Sequence, residues 1–538
     1  MKLYKITKAA ICMSLFAAVG CTDNFEEINT NPNGITPELF EQDFNHIKGG
    51  FAPMFNNIQV LTPEWVYQLQ QGLNCDIWSG YMATPTGFIG GINNTTYSLV
   101  DGWNGFIWDY GYKNVMFNAY DIANKSKGKY DQFYALSLIL KVEGMHRMTD
   151  TFGPIIYSQF GTSDATIGYD SQEEVYNLMF SELDIAVTEL TKRVDAAEPS
   201  TFVSTDMSGY KGDYKAWVKF ANTLRLRLAM RIVKVNPALA KTEAEKAVAQ
   251  KFGVFTTNAD LFKIVSPVYT NPIATISDSW LDIRMSADME SILGGYQDPR
   301  LSTYFDTSAQ FPGEYKGVRT GINIAAKSDH QDFSGIGAVV RSKEIVLMTT
   351  AEAYFLRAEG ALRGWNMNGT AQELYEAGIK ASFDQRGVSG ASGYIADNVK
   401  TPKNYVDPVL IIDDKGDVTY DGAQNNAVAV NNVTVAWDAA ATNEVKLQKI
   451  ITQKWIAGFP EGQEAWSDYR RTGYPKLFPV LKNYSGGTIT TQFGVRRINF
   501  VQSEKAGNSG GVATGVAKLG GPDNGGTRVW WDTTAANF

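Results

Sequence analysis

The chain has 538 residues, with 49 Lys and Arg against 57 Asp and Glu and a formal net charge of −8. That acidic balance argues against nucleic acid as a partner, because phosphate binding needs a basic field. Three cysteines, Cys12, Cys21 and Cys75, are too few for a disulfide framework or a Cys-rich metal site.

At the N-terminus, Lys2, Lys5 and Lys8 form a basic region ahead of the apolar run 9–20. Those residues would rise only about 18 Å as a helix, short of a hydrocarbon core of roughly 30 Å. Small residues Ala18 to Gly20 lead directly into Cys21. This reads as a lipoprotein signal peptide over 1–20, removed to leave Cys21 lipidated. Two or three acyl chains give stable anchoring. No later stretch reaches eighteen uninterrupted apolar residues, so the lipid is the expected membrane contact. Residues 21–36 (CTDNFEEINTNPNGIT) are polar, with Pro32 and Gly34, and read as a flexible tether.

Helical patterning dominates the rest. Thr36-Pro-Glu and Thr62-Pro-Glu place a capping hydroxyl before a proline at the first helical position. Helices are expected over 131–148, 172–193, 213–235 and 238–252; in the second, Val175, Met179 and Leu183 line one face. Over 344–363, Met348, Ala351, Phe355, Ala358 and Leu362 form a stripe of alternating small and large residues. A second helix over 370–386 would face it with Leu374, Ala377, Gly378 and Ala381. Such pairs resemble tetratricopeptide units, without a clean repeat period. The expected fold class is therefore mainly α, with tetratricopeptide-like helix pairs, long irregular loops and a few short β-hairpins.

Long Gly-, Asn- and aromatic-rich stretches, 74–106, 255–340, 390–440 and 483–538, separate the helices. Loops of that length on a rigid scaffold are common binding elements. Alternating runs at Val409–Asp413 and Val428–Trp437 predict small hairpins. No composition break marks a second domain.

Enzyme signatures such as HExxH, a P-loop or a dinucleotide fingerprint are absent from the sequence. Gly507-Asn508-Ser509-Gly510-Gly511 matches G-x-S-x-G but lacks the strand-to-helix flanks of a nucleophile elbow, and reads as a flexible loop. His46, His146 and His330 have no triad context. Asp413, Asp414, Asp417 and Asp421 could gather calcium ligands, but they lack the Glu of an EF-hand loop and read as a solvated turn. No metal and no cofactor is expected. Cys75 is read as a buried apolar residue.

Aromatic residues are the more informative signal. Trp65, Trp78, Tyr81, Phe88, Trp103, Phe106, Trp108, Tyr110 and Tyr112 crowd one region. Aromatic faces beside amides suit sugar rings, which stack through C–H patches and hydrogen-bond through hydroxyls. Trp103, Trp108 and Tyr112 approach helical spacing and are read as structural. Trp78, Tyr81 and Phe88 border the Gly/Thr/Asn-rich loop 84–96 and are candidate ligand contacts. Tyr269, Trp280 and Tyr296, in the long loop region, are the second group of candidates.

Several segments together resemble the SusD/RagB-like outer-membrane nutrient-binding lipoproteins. They are CTDNFEEINTNPNG at the mature start, RMTDTFGPIIYS (147–158), YDSQEEVYNLMFSELDIAV (169–187) and YKGDYKAWVKFANTLRLRLAMRI (210–232). TAEAYFLRAEGALRGW (350–365), ITQKWIAGFPEGQEAWSDYRRTGYPKL (451–477), RRINF (496–500) and RVWWD (528–532) complete the set. The resemblance implies one SusD-like binding domain over 37–538, on a scaffold of tetratricopeptide-like helix pairs. It also implies a non-catalytic, outer-membrane, surface-facing protein. Its partner would be a SusC-like TonB-dependent transporter, on which it acts as a lid that captures glycan, or sometimes peptide. Asp23, Glu26 and Glu27 look like the surface-export signal of such lipoproteins. The matching motifs belong to the scaffold, so Trp455, Trp530 and Trp531 are assigned to packing. Rival readings are peptide cargo, a lipid-anchored helical glycosidase, and a purely structural interaction protein.

Overall fold

In the computed structural model, residues 41–266 and 268–538 are described. The signal peptide 1–20, Cys21, the tether 21–36 and the Thr36 cap lie outside them. The chain divides into units 1–49 and 50–538. The described part of the first carries a 3-10 turn, Gln42–Phe44, and one helical turn, Asn45–Lys48.

The second unit is built on long helices, numbered here in order: α1 Asp101–Tyr110, α2 Phe117–Ser126, α3 Asp131–Phe152, α4 Gln172–Asp195, α5 Tyr214–Arg231 and α6 Pro237–Ala249. There follow α7 Ala287–Tyr296, α8 Thr350–Leu362, α9 Ala371–Arg386, α10 Asn443–Gly458, α11 Gly462–Thr472 and α12 Ser509–Ala517. Helices α3 to α6 pack each on the next; α5 packs on α8, and α8 on both α9 and α10. The helix starts have local causes. Ser171 with Glu174 and Thr370 with Glu373 form reciprocal capping boxes at α4 and α9. Asn236 caps α6 ahead of Pro237.

The α8–α9 pair realises the small-large stripe read from the sequence. A Cβ at Gly378 would meet the Phe355 ring at 2.8 Å, so the glycine lets the two axes approach. The helix begins later than periodicity predicts. Glu344–Met348 is strand β4, which pairs antiparallel with β2, Phe262–Val265, and Thr349 caps α8 behind it. A run with Ile345 and Val346 took the partner strand, overriding a helical phase that included Met348.

The other sheets are β1 Met82–Ala83 with β3 Arg284–Met285, and the hairpin β5 Leu410–Ile412 with β6 Val418–Asp421. In that hairpin turn the Asp413 carboxylate accepts from the N–H groups of Lys415 and Asp417, both at 2.9 Å. Residues 428–437 form no hairpin. Their carbonyls are taken by side chains instead: Val433 by Tyr296, Val435 by Tyr375, and Thr434 and Ala436 by Lys449. Thr62 caps nothing, because Pro63 precedes the first helical residue, Glu64, rather than occupying it.

The Gly-rich tail also departs from its loop reading. Ser509 opens α12 behind a short helix, Gln502–Gly507, so no strand-to-helix elbow exists there. Glycine disfavours helix through backbone entropy, but here it buys proximity. A Cβ at Gly515 would meet the Tyr169 ring at 2.7 Å. Helix α7 was likewise hidden inside an expected loop and is capped by Ser286.

Four of the motif segments quoted above meet in a buried seam of charge. Arg227 forks onto Glu352 with two bonds of 2.8 Å, and Arg471 forks onto Glu359 at 2.6 and 2.8 Å. Lys454 bridges Glu464 and Asp468 at 2.6 Å each, and Arg231 pairs with Glu464. His146 lies between Glu143 at 3.4 Å and Asp150 at 3.7 Å. Burial opposes the imidazolium charge, but the two carboxylates outweigh it and raise the pKa above its ordinary value.

Candidate functional site

Three π-helical turns occur among the described residues, Gln68–Gly72, Gly111–Met116 and Thr275–Ser279. Such turns are rare and concentrate at functional sites. Each adjoins an aromatic residue in the chain: Tyr67 precedes the first, Tyr110 precedes the second and Trp280 follows the third.

Helix α1 supplies its spine. Trp103, Phe106 and Tyr110 recur at i, i+3 and i+7, and all three are half-buried. Trp65, 48% exposed, stands edge-on to Phe106 with centroids 5.1 Å apart. Phe88 meets Trp103 edge-on at 6.1 Å. In each of these T-shaped contacts the edge of one ring meets the face of the other, and all four rings keep part of their surface open to solvent. The strip runs at Phe106 and Tyr110 into an open cleft of about 1000 Å³, whose wall includes Tyr112 and Phe160, stacked at 6.0 Å. Asp109 lines this cleft; desolvation, then the nearby Glu504, raise its pKa.

The loop carrying Phe88 has a rigid base and an apolar tip. Asn93 donates to the Phe88 carbonyl at 2.7 Å and accepts from the Thr95 N–H at 2.9 Å. Thr96 donates to the Gly91 carbonyl at 2.7 Å. Asn94 donates to Asn74 and, at 2.8 Å, to Asn104. The amides that looked suited to sugar hydroxyls are therefore buried and spent within the loop. At the tip Ile89 is exposed with φ 51°, followed by Gly90 at 63° and Gly91 at 81°. A β-branched residue in the left-handed region is strained, and such strain clusters at ligand-contacting loops.

Asp282 ties the neighbouring segments together. Its carboxylate accepts from Gln68 at 2.9 Å, Thr86 at 2.7 Å and Lys327 at 2.7 Å. Lys327 also donates to the Trp280 carbonyl. The hub thus joins the first π turn, the start of the Phe88 loop, the Trp280 segment and the 327–329 turn. Trp280 is half-buried against the core.

The sequence candidates separate accordingly. Phe88 belongs to the strip, Trp280 to the hub, and Tyr269 is half-exposed after β2. Trp78, Tyr81 and Tyr296 are buried instead. Trp78 donates to the Asn94 carbonyl at 3.0 Å and packs on Trp466; Tyr81 donates to the Trp455 carbonyl; Tyr296 donates to the Val433 carbonyl at 2.7 Å. Their rings and polar ends are consumed by packing, so no face is left to stack on a ligand. Trp65 and Phe106 were not singled out in the sequence, and Trp103 was read as structural. The i, i+3, i+7 phase of Trp103, Phe106 and Tyr110 was the available signal. Trp455 and Trp531 are buried, as their assignment to packing requires. Cys75 is buried too.

Among the described residues no helix is long and apolar enough to cross a membrane, and no group of His, Cys, Asp and Glu could hold a metal ion. The space beside Glu352, Glu464 and Asp468 is about 20 Å³, room for water but not for a sugar ring.

Residues 27–532 match the family described as SusD-like, "Susd and RagB outer membrane lipoprotein". The chain is similar to a chitin-binding SusD homolog from Flavobacterium johnsoniae, at 85% identity and a TM-score of 0.89, covering 92% of this chain and all of that one. It is similar to a SusD homolog from Bacteroides vulgatus at 38% identity, TM-score 0.85, covering 92% and 99% of the two chains. A SusD-like protein from Bacteroides thetaiotaomicron matches at 33% identity, TM-score 0.84, covering 90% and 98%. No curated protein matches the chain.

Proposed function

The chain belongs to the SusD-like family of outer-membrane lipoproteins, and from that premise we propose that it binds chitin-derived oligosaccharides on the Phe88–Trp103–Phe106–Trp65 strip. The observation that carries this reading is the row of partly exposed rings, whose Trp65 and Phe88 segments the Asp282 hub ties together through Gln68 and Thr86. Acetylated glucosamine units offer a C–H face for such rings and an acetamido group for neighbouring donors and acceptors. The chitin-binding homolog at 85% identity supports the same substrate class.

The mechanism is capture and release without bond cleavage. Cys21 carries the lipid, residues 22–36 form the tether, and the protein faces the cell surface, where it serves as a lid for a SusC-like TonB-dependent transporter. Affinity must then be modest enough for hand-over. Titration calorimetry with chitohexaose, maltohexaose and a mixed peptide library tests the cargo. Chitohexaose alone should bind; peptide-only binding would move the cargo to the other class. Cleavage of chitohexaose during incubation, abolished by replacing one carboxylate, would overturn the non-catalytic reading. Cys21→Ala should release the protein from the membrane fraction, and continued anchoring would refute lipidation at that residue. Co-purification of a transporter barrel with the intact protein would test the partner.

A further inference from the structure

Away from the aromatic strip, α11 and the C-terminal segment border a second cleft, of about 620 Å³. That volume lies within the range of small-molecule sites, roughly 300–1,000 Å³. Its charge is unusual for a chain with net −8. Lys234, Arg470, Lys476, Arg496 and Arg528 line it, with Glu444 as the acidic lining residue.

The ion pairs leave this excess in place. Asp532 is shared by two guanidinium groups: Arg496 forks onto it and Arg528 donates at 2.5 Å. Glu444 is engaged by the Tyr474 hydroxyl at 2.7 Å and the Asn537 amide at 2.8 Å. Arg470 donates through its two terminal nitrogens to the carbonyls of Asp150 and Arg496 and to the Ser467 hydroxyl, without a carboxylate. Among the described residues, neither Lys234 nor Lys476 has a carboxylate in ion-pair range.

Unspent donors point to what is missing. Lys234 gives two bonds, to the carbonyls of Arg471 at 3.1 Å and Thr533 at 3.3 Å, leaving a third N–H. Arg528 spends one of its nitrogens on Asp532 and lies over the exposed Phe493 ring at 5.0 Å. Lys476 sits at the rim, over Tyr474 at 4.7 Å. Desolvation, then Arg471 and the cations around it, push the Lys234 ammonium down to about 8 despite the opposing pull of Asp532. A cation in such a setting lacks its counter-charge, and charge-assisted bonds to an oxyanion would supply it.

We propose that this cleft is a second ligand site, distinct from the aromatic strip, which binds an oxyanion group on a small molecule through Lys234, Arg528 and Lys476. The group can arrive as free phosphate or as the carboxylate of an acidic saccharide, and the test separates the two. It does not depend on the chitin reading.

Calorimetry on the intact protein would use inorganic phosphate and trigalacturonic acid in separate titrations, each repeated at raised NaCl. The expected result is saturable one-to-one binding by at least one probe, weakened by salt. Binding should fall about tenfold in Lys234→Gln and in Arg528→Gln, the scale of one lost charge-assisted bond. Lys476→Ala, an exposed rim change, should weaken binding severalfold without touching the core, and so serves if Lys234→Gln fails to fold. Lys192→Gln, on the exposed face of α4, should change nothing. Binding of phosphate alone assigns the site to the free anion, and binding of trigalacturonate alone to the sugar acid. Absence of saturable binding by both probes, or equal binding by the wild type and the three cleft variants, would overturn the proposal.

Discussion

The buried seam around Arg227, Glu352, Lys454 and Glu464 and the aromatic strip around Trp65 and Trp103 use their side chains in opposite ways. In the seam every strong group is turned inward: guanidinium forks meet carboxylates, and buried tyrosines and tryptophans give their polar ends to backbone carbonyls. In the strip the rings meet in T-shaped pairs and keep part of their surface open to solvent. The difference teaches that binding capacity in this fold is measured by what packing leaves over, not by how many aromatic residues a segment contains.

Changes at the seam should therefore alter stability without affinity, and changes at the strip the reverse. The largest effect is expected from Arg227→Ala. It takes a guanidinium partner from the buried Glu352 and Glu143, which are left with Lys454 and His146 nearby, and losing one partner of a buried pair costs about 3–5 kcal/mol. Urea unfolding would register the loss, while chitohexaose affinity of the folded fraction stays constant; an equal loss of affinity would dissolve the distinction.

Next comes pH. Burial opposes the Glu359 charge, but Arg471 and Arg363 outweigh it and hold the carboxyl at about 2, below its usual 4.5. A depressed carboxyl stabilises the fold fully above its unfolded value, and this contribution disappears as pH falls from 4.5 through about 2. The span corresponds to roughly 3 kcal/mol. Acid titration of unfolding free energy should be flatter in Glu359→Gln than in the wild type, once the variant's lower starting stability is subtracted.

On the other side of the comparison, Trp65→Ala should lower chitohexaose affinity about tenfold, the scale of one lost stacking ring. Its unfolding free energy should stay within about 0.5 kcal/mol of wild type, because the ring is half exposed. A stability loss without an affinity loss would place Trp65 with the seam. The smallest effect belongs to Tyr296→Phe, which removes one buried hydroxyl and leaves the Val433 carbonyl unpaired. The expected cost is about 1 kcal/mol with unchanged affinity, read by the same two measurements.

Much of the scaffold was legible in advance. Helices α3, α4, α5, α6 and α9 lie within a few residues of their expected bounds, because an apolar stripe and a capping residue are both local signals. The misplacements share one cause. Residues 344–348 joined β2, residues 428–437 gave their carbonyls to distant side chains, and 509–517 became helical against Tyr169 and Phe500. Each was settled by a partner far away in the chain. The proposed site was less legible than the fold: of the candidates, Phe88 lies on the strip and Trp280 by the hub, while Trp78, Tyr81 and Tyr296 are buried.

Periodicity, capping and composition by themselves determined a mainly helical scaffold with long aromatic loops, and the ordered motifs pointed to its family. Only the tertiary structure decided which aromatic rings face solvent and which cations go unpaired. A stripe or a cap is written in residues three or four apart. Whether Tyr81 meets Trp455, or Lys234 meets a carboxylate, depends on segments that come together only when the chain folds.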